Sequence, residues 1–164
     1  MDKPAPHRDP AAQEATDLAT SLAPALRTLV ERGILGPTLF AVTPAGRGAI
    51  PLQFGSSEEK AILCDAVGRF LREHGVRSAV FATEAWMAPA SPDDATPAPP
   101  SRHPDRREAL LIVAMAAGTG WAHIWIHPFR RHPDGRVSWD PPQNEWDSSS
   151  ITVRLFASYI DPGH

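Results

Sequence analysis

The run EALLIVAMAAGTGWAHIWIHPFRR, residues 108–131, decides the fold. From Glu108 to Ala117 it is almost continuously apolar, the pattern of a central strand covered on both faces. Gly118-Thr119-Gly120 then turns the chain, and Trp121 to Arg131 alternates cleanly. Ala122, Ile124 and Ile126 point one way, while His123, Trp125, His127 and Phe129 point the other.

Working upstream, Ser78 to Trp86 reads as a strand, and Met87 to Pro104 breaks every pattern with six prolines in eighteen residues. A mobile proline-rich loop is expected over 88–104. Before the Ser78 strand, Ser56 and Glu59 stand in the capping-box relation. They introduce an amphipathic helix in which Leu63, Val67, Phe70, Leu71 and His74 share a face, closed by Gly75. Thr38–Thr43 and Ala49–Phe54 favour strands, joined as a hairpin by Pro44-Ala45-Gly46-Arg47-Gly48. Leu18, Leu22, Leu26, Leu29 and Val30 recur at helical spacing before Gly33. Pro24 implies either a kink or a helix that begins near Ser21. Residues 1–10, with three prolines among charged groups, read as a disordered tail, leaving 11–164 as a single domain.

Working downstream, Pro133-Asp134-Gly135 supplies a tight turn ahead of the strand Arg136–Trp139. A polar loop, Asp140 to Ser149, and a final strand, Ile151 to Tyr159, complete the chain. No strand–helix–strand repeat forces a parallel sheet. The expectation is an α+β fold with one mostly antiparallel sheet of five to seven strands and two helices packed on one face.

Composition narrows the function classes. At 164 residues and 17.8 kDa the chain has the size of one domain. A formal net charge of −3 argues against a strongly basic nucleic-acid coat. Only Lys3 and Lys60 are lysines, and abundant alanine, proline and arginine suggest a GC-rich bacterial genome. The single cysteine, Cys64, excludes an intramolecular disulfide and a multi-thiolate metal site. Set inside an amphipathic helix, it reads as a small buried hydrophobe. The N-terminus lacks the apolar core of a secretory signal, and the longest apolar stretch, Ala109 to Ala117, is only nine residues. A cytoplasmic protein with no membrane association is therefore expected.

The polar residues that stand out flank the proline segment: Glu84 and Trp86 before it, Asp105, Arg106, Arg107 and Glu108 after it. If the two flanking strands pair antiparallel, these groups meet at one end of the sheet. Glu84 and Glu108 then offer an acid–base pair, or metal ligands together with His123 and His127. Against a shared ion stands spacing, because two imidazoles four residues apart on a strand are separated by roughly 13 Å at about 3.3 Å per residue. The structural alternative is that both carboxylates pair with Arg106, Arg107 or Arg131, and ion-pair networks of this kind are the more ordinary outcome.

No nucleophile elbow, phosphate-binding loop or zinc-binding helix motif is present. No metal or cofactor is therefore expected. Trp86, Trp121, Trp125, Trp139 and Trp146, four of them near Arg130, Arg131 and Arg136, offer nucleobase stacking or protein anchoring, with sheet packing as the plainer role.

Glu84-Ala85-Trp86-Met87, the proline-rich gap, and His103-Pro104-Asp105-Arg106-Arg107-Glu108-Ala109-Leu110 together resemble a pattern of small α+β proteins of bacteria and their phages or mobile elements. That family carries no established activity. The resemblance implies that Glu84, Trp86, Asp105, Arg106 and Glu108 form one unit across the hairpin. The leading expectation is a non-enzymatic binding or accessory module whose partner is a protein or a second copy of the chain. A hydrolase or metal-dependent enzyme using Glu84 and Glu108 with His123 or His127 is the alternative, and nucleic-acid binding through the C-terminal arginines and tryptophans is a second.

Overall fold

The computed structural model describes residues 9–87, 104, 106–145 and 151–163. The expected mobile loop therefore lies almost wholly outside the described residues, as do Asp105, Trp146 and most of the expected N-terminal tail. Two tail residues are structured. Asp9 caps helix α1 (Pro10–Glu31) by accepting from the Ala11 and Ala12 amides at 2.8 and 3.4 Å, and Pro10 takes the first helical position, where its missing amide costs nothing. The helix runs as one element through Pro24, so of the two readings the later start near Ser21 is set aside.

Strands β1 (Thr38–Thr43) and β2 (Gly46–Pro51) form a hairpin that is tighter than expected. Pro44 and Ala45 alone make the turn, and Gly46 to Gly48, expected in the loop, belong to the second strand. Gly46 starts it at a φ of 126°, a conformation that costs a side-chain-free residue little. Helix α2 (Ser57–Glu73) starts as read: the Ser56 hydroxyl accepts from the Glu59 amide at 3.1 Å, and Glu59 reaches back to the Gly55 amide. Its buried face is Cys64, Gly68 and Leu71; Phe70, expected on that face, is 52% exposed and stacks on His74.

Strands β3 (Ser78–Met87), β4 (Arg107–Ala116) and β5 (Ala122–Arg131) form the centre of an antiparallel sheet of order β2-β1-β3-β4-β5-β6. β6 (Val137–Trp139) pairs the end of β5, and β7 (Gln143–Glu145), read from the sequence as polar loop, pairs its middle.

The two long helices lie on opposite faces, not together on one. Val80, Ala82, Leu110, Ile112, Ala114 and Phe129 pack with Leu18, Leu26 and Val30 of α1. The intervening residues Phe81, Ala109, Val113, Met115, Ile124 and Ile126 pack with Cys64 and Leu71 of α2. A strand as continuously apolar as β4 needs cover on both sides, and one helix layer on each face supplies it.

The expected final strand is instead two short helices, α3 (Ile151–Leu155) and α4 (Ala157–Ile160). β-branched and aromatic residues favour a strand locally, but Val153, Phe156, Tyr159 and Ile160 recur at helical spacing, and all four are buried in the α2-side core. Among the described residues no helix is long and apolar enough to cross a membrane.

Candidate functional site

Register brings the expected residues together. Trp86 lies opposite Glu108, Met87 opposite Arg107 and Glu84 opposite Leu110 across the β3–β4 pair. On the next strand Leu110 faces His127 and Glu108 faces Phe129. Directly opposed residues share a face, as do residues two apart on one strand. Glu84, Trp86, Glu108, His127 and Phe129 therefore all project to the α1 side. The Arg106 guanidinium joins them, lying 5.0 Å from the centre of the Trp86 ring. Arg107 and Met87 project to the opposite side.

Because β3 and β4 end here, side chains from both faces converge around the strand ends. They line an open cleft of about 740 Å³ formed by Trp86, Met87, Arg106, Arg107, Glu108, Pro128, Phe129, Arg130, Arg131 and Gln143. Trp86 is 43% exposed, and Arg106, Arg107, Arg130 and Arg131 are all exposed. Among the described residues no carboxylate lies within ion-pair distance of Arg107 or Arg130.

A second set of polar groups backs the cleft, between the sheet and the last turns of α1. Arg131 reaches Glu84 at 3.6 Å and donates to the Val30 carbonyl at 3.3 and 3.4 Å. One turn earlier, Arg27 lies 2.9 Å from Nδ1 of His127 and stands over the Trp139 ring at 5.1 Å. The Trp139 indole donates to Glu31 at 2.9 Å and its ring packs on Phe129.

Burial sets the electrostatics of both partners of these arginines. Desolvation raises the Glu84 carboxyl above its ordinary value, with Arg131 opposing and nearby Glu108 reinforcing the shift. Desolvation, followed by the Arg27 charge, lowers His127. Glu84 Oε1 and Arg27 Nε are buried without a hydrogen-bond partner among the described residues. The polar layer is therefore held by charge proximity and only partly by hydrogen bonds.

His123 is not brought into this set; its ring packs against Trp125 at 4.3 Å. Among the described residues no three His, Cys, Asp or Glu side chains converge as a metal site. Of the described tryptophans only Trp86 is exposed; Trp121 is buried, and Trp125 and Trp139 pack on the α1-side core. Sequence reasoning did not single out Arg27, Glu31, Met87 or Gln143. The one available signal was Arg27, a charged residue inside the apolar stripe formed by Leu26, Leu29 and Val30.

No family model matches the chain, and neither does any curated protein or solved structure.

Proposed function

We propose that this protein is a non-enzymatic binding module that takes a protein partner at the cleft where β3, β4 and β5 end. One observation carries the reading: an exposed tryptophan, four arginines and the half-buried Met87 side chain converge on a single concave surface. Tryptophan and arginine are the residue types that dominate binding energy at protein interfaces, and among the described residues Trp86 stays exposed with the Arg106 guanidinium over its ring.

The test is site-specific photocrosslinking. A photoreactive amino acid at Gln143, exposed on the cleft rim, is compared with one at the exposed Glu58 of α2, in a cell lysate. A discrete adduct from position 143 that is absent from position 58, and lost when Trp86→Ala is added, is expected. Identical adducts from the two positions contradict the proposal.

One feature favours the carboxylate-pair enzyme: Glu84, raised mainly by desolvation, is raised further by the nearby Glu108 carboxylate. Geometry weighs against it. Glu84 is engaged by Arg131 behind the cleft and does not line it, and His127 is 8% exposed with Nδ1 beside Arg27. A turnover found by substrate screening and abolished equally by Glu84→Gln and Glu108→Gln would establish it.

A further inference from the structure

Resting on that reading, we infer that the cleft recognises an acidic peptide segment in which carboxylates alternate with an apolar side chain. The inference comes from how charge is distributed. The chain as a whole carries a formal net charge of −3, yet the described residues that line this cleft include Arg106, Arg107, Arg130 and Arg131 and one carboxylate, Glu108; counting Glu84, which pairs with Arg131 behind the cleft, cationic groups remain in excess among the described residues. A concave surface of one sign on a protein of the other sign focuses field lines and draws in ligands of opposite charge. Guanidiniums on both faces of the strand ends can hold anionic groups along the length of an extended chain, because a planar fork suits carboxylate geometry.

The rest of the lining selects a peptide over a nucleic acid. Half-buried Met87, backed by the buried Pro128 and Phe129, gives the cleft an apolar spot that suits an aliphatic side chain between two acidic ones. A single strand of nucleic acid binds on successive aromatic platforms, whereas Trp86 is the one exposed tryptophan among the described residues, and Arg106 already stands over its ring. Glu108, opposite Trp86, offers an acceptor for the N–H donors of a peptide backbone, which a phosphodiester backbone lacks. Acidic-motif capture by an arginine cluster is an established mode of peptide recognition.

The test is fluorescence anisotropy with three labelled probes: a peptide alternating glutamate and leucine, its glutamine-for-glutamate analogue, and oligo-deoxythymidine. Binding of the acidic peptide is expected, with at least about tenfold weaker binding of the glutamine analogue and marked weakening as salt is raised. Arg130→Gln and Trp86→Ala are each expected to weaken the acidic peptide by about tenfold or more, in line with arginine and tryptophan anchors elsewhere. Both positions are exposed, and unchanged circular dichroism and melting show that each variant folds. Equal affinity for the glutamine analogue, or tighter binding of the oligonucleotide, overturns the inference. Failure of every probe while the crosslink from position 143 persists overturns the acidic-peptide assignment alone; loss of the crosslink as well removes the binding site itself.

Discussion

Arg27 and His127, a hundred positions apart in sequence, meet at 2.9 Å between α1 and β5. Arginine can only donate, so Nδ1 of His127 is the acceptor and its proton sits on Nε2. The contact requires a neutral ring, and burial together with the Arg27 charge depresses its titration. In the pH range between the depressed value and the ordinary imidazole value near 6.5, the unfolded chain binds more protons than the folded one. Stability contributed by this contact is thus present above pH 6.5 and lost as pH falls below it. Urea melts from pH 7.5 to 5 should show a smaller fall for His127→Gln, whose amide oxygen still accepts from Arg27 but does not titrate. An identical fall in both proteins contradicts the assignment.

Glu84 titrates with the opposite sign. Its folded carboxyl is raised, so the folded state holds a proton that the unfolded state has released. Its contribution is present at low pH and declines as pH rises through the raised value. Glu84→Gln should gain stability relative to the wild type as pH rises from 4 to 7. A gap that does not change with pH would show that Arg131 compensates Glu84 fully.

Gly68 is where α2 meets α4. A Cβ built there lies 2.6 Å from the Ser158 hydroxyl and 3.3 Å from the Tyr159 Cβ. Ser158 is held in place by its bond to the Asp65 carbonyl, so the clash is not relieved by a simple rotation. Gly68→Ala should lose about 1–3 kcal/mol in urea denaturation, as overpacked sites do, despite alanine's better helix propensity. A stabilised variant would mean that α4 does not dock on α2.

Tyr159 fixes the same contact from the other side. Fully buried, it donates to the Val76 carbonyl at 2.8 Å, and burial raises its phenol well above the ordinary value. Tyr159→Phe leaves that carbonyl without its partner and should cost about 1–2 kcal/mol by the same measurement.

The sheet centre was legible because β4 and β5 are long and carry opposite signatures, one continuous and one alternating. Their pairing with β3 followed from strand order, and the Trp86–Glu108 opposition followed from that pairing. The C-terminus was not legible in the same way. Ile151 to Tyr159 has strand-forming residues, and only the burial of Val153, Phe156 and Tyr159 reveals the helical period that tertiary packing selects. Gly46 and Gly48 pointed to a loop, yet in β2 they occupy an exposed edge where side-chain packing is not needed. Arg27 gave only a weak local signal, a charge beside the apolar stripe of α1, because its role depends on which sheet face α1 covers.

The cleft as recognition surface is tested most directly by amide chemical shifts in the ¹⁵N-labelled protein during titration with the glutamate–leucine peptide. Shifts concentrated at residues 86–87, 106–108, 129–131 and 143, with α2 unmoved, are the predicted result. Shifts centred instead on the separate hollow between the start of α1 and Arg47, or spread evenly over the surface, would contradict it.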